Sequence, residues 1–181
     1  MSDTLITIVA ISLAAVLMFI FPLLSVSERS DDISQLSVAS ATAEFVDNSR
    51  AIGKITLDNY SKLITTINST GNSYDVEMEV KVLDENIGKK SAWTQGTVIG
   101  ENVYYSVYTS QIVEVLKDED GTYNSNGVYT MKEGDIFSVS VKNTNKTLSQ
   151  TIRGVFYSIS GSDVYSIMAQ HSGVVTANGS Y

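Results

Sequence analysis

The stretch Leu5-Ile-Thr-Ile-Val-Ala-Ile-Ser-Leu-Ala-Ala-Val-Leu-Met-Phe-Ile-Phe-Pro-Leu-Leu-Ser-Val26 decides the architecture. It holds no charged residue over 22 positions. At 1.5 Å per residue that is about 33 Å of helix, enough to cross the hydrocarbon core of a bilayer. A core helix of a small domain would carry a polar stripe. Here only Thr7, Ser12 and Ser25 are polar, and their hydroxyls can bond back to the helix's own carbonyls. The competing reading is a cleaved signal peptide, for which Ser25 and Ser27 give a tolerable small-residue spacing. Against it, the leading Met1-Ser2-Asp3-Thr4 has no cation, and the apolar run exceeds the roughly 7–15 residues of a signal core. The uncleaved anchor is therefore the expectation. Arg29 is the only cation within about 20 residues of either end of the run, so the positive-inside rule has little to act on. The acidic, hydroxyl-rich remainder is expected on the extracytoplasmic side of the cell membrane.

The chain continues as SERSDDISQLSVASATAEFVDNSRAIG, with no Gly or Pro before Gly53. Ile33, Leu36, Ala39 or Ser40, Ala43 and Val46 recur at three- and four-residue steps, flanked by Val38, Ala41 and Phe45. That spacing predicts an amphipathic helix continuing the anchor as one rod of about 45 residues to near Ser49, with Gly53 as its stop. Pro22 is expected to kink that rod where it leaves the bilayer. The small residues on its face, Ala39, Ala43, Val38 and Ala41, are a candidate surface for packing against another helix.

Beyond Gly53 the chain reads as a small α+β unit. A helix is predicted from Thr56 or Leu57 to Ser69, capped by Thr56 and ended by Gly71, with Leu57, Tyr60, Leu63, Ile64 and Ile67 as its apolar stripe. From Tyr74 to Val82 the period becomes two, with Val76, Met78 and Val80 alternating with charges, which marks a half-buried strand. Residues 84–96 read as a loop, Val103 to Tyr108 as strand or helix, and Thr109 to Lys117 as a short helix capped by Thr109 or Ser110. Val128–Met131 and Ile136–Val141 read as a hairpin. Thr147 to Ser158 reads as a helix with Leu148, Ile152, Val155 and Phe156 inward, and Tyr165 to Thr176 contains the last strand. The expected fold is α+β: an N-terminal transmembrane helix extended into a long helix, then a head with helices packed on a mostly antiparallel sheet. The corresponding segments are an anchor (1–27), a helical stalk (28–53) and a head (54–181).

Composition bounds the chemistry. The 181 residues carry a net charge of -8, 12 Lys+Arg, one proline and no cysteine. A disulfide scaffold, a thiolate metal site and a cysteine nucleophile are excluded. Nucleic acid is a poor partner for a chain without clustered positive charge. Ser, Thr and Asn together supply 52 residues, which fills the place of missing charge.

Individual motifs are weak. Gly88-Lys-Lys-Ser91 lacks the glycine five positions earlier that a phosphate loop requires, Leu83 standing there instead. Asp118 to Gly127 offers oxygen ligands of the kind calcium prefers, but with the glycine fourth and no glutamate at the twelfth place, so a polar turn is the simpler reading. His171 is the only histidine. Ser172 beside it and Asp163 nearby do not make a triad, which only the fold can assemble. No nucleophile elbow is present. Tyr104, Tyr105 and Tyr108 form a cluster suited either to half-buried packing or to an exposed interface. No cofactor, metal, catalytic group or small-molecule substrate is evident, and an enzyme is not expected.

An apolar helix carrying Pro22, a helical extension and a small α+β head together resemble type IV pilins and pseudopilins. More specifically, FPLLSVSERSDDISQL (21–36), TAEFVDNSRAIGKIT (42–56), Tyr60, TGNSYDVEMEV (70–80) and Asp84-Glu-Asn-Ile-Gly-Lys-Lys90 resemble TadE-like minor pilin components of Tad (Flp)-type pilus loci in Gram-positive bacteria. GDIFSVSVKNTNKT (134–147) and AQHSG (169–173) carry the same resemblance. It implies an outward-facing, membrane-anchored component of pilus assembly or a related surface secretion system, with the lipid bilayer and other pilin-like or assembly proteins as partners. No glycine precedes the apolar run and no glutamate lies early in it. The expectation is thus a minor, priming or accessory subunit rather than a major pilin. The alternative is a membrane-tethered extracytoplasmic binding or adhesion module.

Overall fold

The apolar run and the segment after it form one helix, α1, Ser2–Ile52. In the computed structural model, which describes residues 2–84, 104–117, 122, 127–157 and 166–179, α1 passes through Pro22 without a break. Its 51 residues correspond to about 76 Å. Asp3 lies in its first turn and Arg50 in its last, each opposing the partial charge of that helix end. Gly53 ends it with φ 68, a left-handed conformation that costs glycine nothing.

Among the described residues nine further elements follow: β1 (Lys54–Thr56), α2 (Leu57–Asn68), β2 (Tyr74–Leu83), β3 (Tyr104–Tyr108), α3 (Thr109–Val115), β4 (Val128–Thr130), β5 (Ile136–Asn143), α4 (Leu148–Tyr157) and β6 (Met168–Val174). The main sheet is antiparallel throughout, in the order β3-β2-β5-β6. α1 lies across β5 and β6, with α2 beside it. The expected α+β architecture, a long apolar N-terminal helix followed by a small head of helices on an antiparallel sheet, is what the structure contains.

The core forms where the extension of α1 meets the sheet. Val38, Ala41, Phe45 and Val46 of α1 join Leu63 and Ile67 of α2 and Val76, Met78, Val80, Phe137, Val139 and Val141 of the sheet in one buried cluster. Phe45 stacks edge-on against Phe137 at 5.7 Å and tilts against Tyr60 at 6.4 Å, so one aromatic group ties α1 to β5 and α2. Residues 28–53, read from the sequence as a stalk apart from the head, thus supply part of the head's own core.

Side chains complete hydrogen bonding where backbone pairing stops. β2 and β3 last pair at Glu79 and Tyr108. There the chain turns into α3, and the Thr109 hydroxyl takes the place of a further strand residue, accepting from Met78 N at 2.6 Å and donating to Met78 O at 3.2 Å. Thr109 is therefore not the helix cap. That position is Tyr108, whose N–H donates to Gln111 Oε1 at 3.1 Å. On the opposite edge, the Gln35 carboxamide pairs with both backbone groups of Met168, at 2.6 and 2.9 Å, as a neighbouring strand would. α2 starts as expected, Thr56 Oγ1 accepting from Asn59 N.

The expected hairpin is not formed. β4 pairs with β1, Lys54 opposite Thr130 and Thr56 opposite Val128, in a separate two-stranded sheet. β5 pairs with β2 and β6 instead. The left-handed turn at Gly53 lays β1 alongside β4, and Met131 N donates to Gly53 O at 2.8 Å. The turn between β4 and β5 is held by Asp135, a buried carboxylate that accepts from Lys132 N at 2.8 Å and Leu83 N at 3.0 Å. Leu148, expected inward, is 54% exposed.

Candidate functional site

The buried side of α1 runs through Ser27, Ser34, Val38, Ala41, Thr42, Phe45, Val46 and Ser49. Three of its hydroxyls bond the helix's own carbonyls: Ser27 to Leu23 O, Ser34 to Ser30 O and Thr42 to Val38 O, at 2.7 to 2.9 Å. They are satisfied without water or a partner, so polar residues fill a face that faces the head. The apolar residues left over point away. Ile33 is 64% exposed and Leu36 72%, contrary to their assignment to the inward stripe. They lie one turn apart on the outer side of α1, as i,i+3 neighbours do.

The expected helix-packing face divides differently. Val38 and Ala41 are buried in the protein's own core, and Ala39 packs against it half-buried. Ala43 is half-buried too. Val38 and Ala41 are thus committed to the head and closed to a second helix, because the small residues let α2 and the sheet approach α1. Ile33 and Leu36 are exposed apolar residues of this segment, with Ile52 also exposed at its far end.

A polar seam joins α1 to α4 directly after the apolar run. Arg153 Nε and Nη2 donate to Glu28 Oε1 at 2.9 and 2.6 Å. Asp31 Oδ2 accepts from Thr147 Oγ1 at 2.7 Å and from the Ser149 hydroxyl. Thr147 and Gln150 form a reciprocal cap, Thr147 N donating to Gln150 Oε1 at 3.1 Å and Gln150 N to Thr147 Oγ1 at 3.3 Å. The Thr-x-x-Gln spacing of that box is readable in sequence. The pairing of Glu28 with Arg153, 125 residues apart, is not.

The third surface is the sheet face turned away from α1. Alternation puts Asp75, Glu77 and Glu79 of β2, Ser138 and Ser140 of β5, Gln170 and Ser172 of β6, and Tyr108 of β3 on it. Register aligns Ser172, Ser138, Glu79 and Tyr108 in one row and Gln170, Ser140 and Glu77 in the next. A shallow groove of about 680 Å³ runs over these residues other than Ser172. Ser106 Oγ donates to Glu79 Oε1 at 2.6 Å. The groove lining is acidic and hydroxyl-rich, while Lys142 stands opposite Asp75 on the same face.

His171 lies on the other face. Its Nε2 is 3.3 Å from Asp47 Oδ1, which also accepts from Arg50 Nε at 2.8 Å. The Arg50 bond, then the His171 contact, holds the Asp47 carboxyl below its ordinary range. Ser172, one residue on, points to the opposite face, so the two side chains do not meet. His171 instead ties β6 to α1. Tyr104, Tyr105 and Tyr108 are exposed along β3. Burial, with Asp135 and Tyr105 nearby, pushes the Tyr129 phenol up. Gly88–Ser91 and Asp163 lie outside the described residues, as does the calcium-like 118–127 turn apart from Thr122 and Gly127.

Comparison with family models, with curated proteins and with solved structures gives no match to this chain. The long apolar helix meets the length and composition requirement for crossing a membrane.

Proposed function

We propose that this chain is a single-pass membrane protein, with its head outside the cytoplasm, that acts as a pilin-like structural or assembly component of a Tad-type pilus or related surface system. The carrying observation is that one unbroken helix holds both the apolar run and the helical face of the head core. A head built onto its own anchor in this way cannot swing freely from the bilayer. Such a unit suits ordered packing of subunits side by side and asks for no catalysis. The exposed pair Ile33 and Leu36 is the surface through which a neighbouring pilin-like helix would pack.

Ile33→Asp combined with Leu36→Asp tests the assembly reading. Both side chains are exposed, so head stability should change by no more than about 0.5 kcal/mol. Co-purification with other pilus-assembly proteins from the native membrane should be lost. Wild-type recovery of those proteins with the double variant would remove the assembly role. Val38→Asp or Ala41→Asp would instead unfold the head by placing a charge in its core.

A second reading, a tethered binding or adhesion module, is favoured by the acidic groove with Tyr108 at its side. Under that reading the Ile33/Leu36 variant is silent, and charge reversal at Glu77 and Glu79 abolishes partner capture.

A further inference from the structure

We infer that α4 is a membrane-surface helix, seated in the lipid headgroup layer of the same bilayer that α1 crosses. This rests on the proposed anchor, and three observations set it apart from that reading.

Depth comes first. Glu28 is two residues past Val26 and Asp31 five, about 3 and 7.5 Å along the axis at 1.5 Å per residue. The headgroup layer on each side of a bilayer is about 5–7 Å thick, so Glu28 lies within it and Asp31 at its outer edge. α4 is fixed to α1 at those two levels, with Thr147 and Ser149 on Asp31 and Arg153 on Glu28. Its direction comes second. The start of α4 is held at the higher level and Arg153 at the lower, so the helix descends toward the bilayer.

The third observation is an inverted polarity in the first turn of α4, where Leu148 is exposed beside Thr151 while Ser149 and Gln150 are buried. Ser149 and Gln150 are buried, because the seam with α1 is polar. Leu148 is 54% exposed on the outer side. A helix surrounded by water would bury Leu148 and expose Ser149 and Gln150. An outer surface meeting the lipid interface accounts for the reversal, since apolar side chains are favoured there and the polar seam is kept from water.

The absence of native cysteine allows a clean test by single-site labelling of the full chain in phosphatidylcholine vesicles. A Cβ at Gly154 meets nothing within 4 Å, so Gly154→Cys can carry a fluorophore without disturbing the helix, and Leu148→Cys provides a second position. Phe19→Cys reports on the anchor. Glu133→Cys reports on water, since Glu133 N bonds Asn178 beside the far end of α1. A nitroxide on the acyl chain should quench the Phe19 label. A nitroxide on the headgroup should quench the Gly154 and Leu148 labels roughly twofold more than the Glu133 label. A quenched Phe19 label with Gly154 and Leu148 matching Glu133 overturns the inference and leaves the anchor standing. An unquenched Phe19 label overturns the anchor and this inference with it.

Discussion

Phe137→Ala is expected to cost the head about 3–5 kcal/mol, the usual loss for truncating a fully buried phenylalanine. Phe137 is wholly buried on β5 and stacks on Phe45 of α1. Removing the ring takes away its own burial. It also leaves Phe45, itself tilted against Tyr60 of α2, without the sheet side of its packing. Relaxation into the void is limited because Val80, its partner across β2, and Val139, next on the same face of β5, are β-branched and stiff. In a head of this size the loss corresponds to a fall in melting temperature on the order of 10 °C. Thermal unfolding in detergent, followed by circular dichroism, measures it. Phe137→Leu should recover more than half of the loss. A Phe137→Ala head melting within a few degrees of wild type would mean that α1 and the sheet do not share a core.

Gly53→Ala is expected to destabilise the head by about 3 kcal/mol or more, for two separate reasons. The residue has φ 68, where an L side chain is strained by roughly 1–2 kcal/mol. An added Cβ would also stand 2.2 Å from Ala177 O and 2.5 Å from Gly179 N. Those are backbone atoms of the tail that closes over the end of α1, and a rotamer change cannot move them. Gly53 O accepts from Met131 N, and Gly179 N donates to Met131 O. The clash would therefore part α1, β4 and the tail together. Gly71→Ala is the control. Gly71 has a comparable φ of 81 with nothing within 4 Å, so only strain is added and the expected cost is about 1–2 kcal/mol. Equal losses at the two positions would show that the tail does not pack on Gly53.

Local pattern made much of this fold readable. β2 alternates from Tyr74 to Val82 because one face meets the core and the other the open groove, and Val76, Met78 and Val80 are the residues buried. α2 begins at Thr56 because a hydroxyl can satisfy Asn59 N there. The misreadings have physical causes. Neighbouring strands usually pair, which makes a β4–β5 hairpin the natural reading, whereas β1 is only three residues long after a left-handed glycine and carries no pattern of its own. The spacing of α1 draws its stripe through Ile33 and Leu36, because Ser27, Ser34 and Thr42 look like surface residues. Hydroxyls that bond their own helix can be buried, and that shifted the inward face. Leu148 reads as inward by its four-residue spacing to Ile152, but Ser149 and Gln150 take the buried side of the first turn of α4. The junction of Glu28 and Asp31 with α4 had no local signal, since its partners are more than 100 residues apart.

The central claim is that a single uncleaved helix is both the membrane anchor and one wall of the head. The intact mass of the protein extracted from the membrane fraction tests it most directly. A chain beginning at Met1 or Ser2 is the predicted result. A mature chain beginning at Glu28 would remove the apolar run, and with it the anchor and the pilin-like reading.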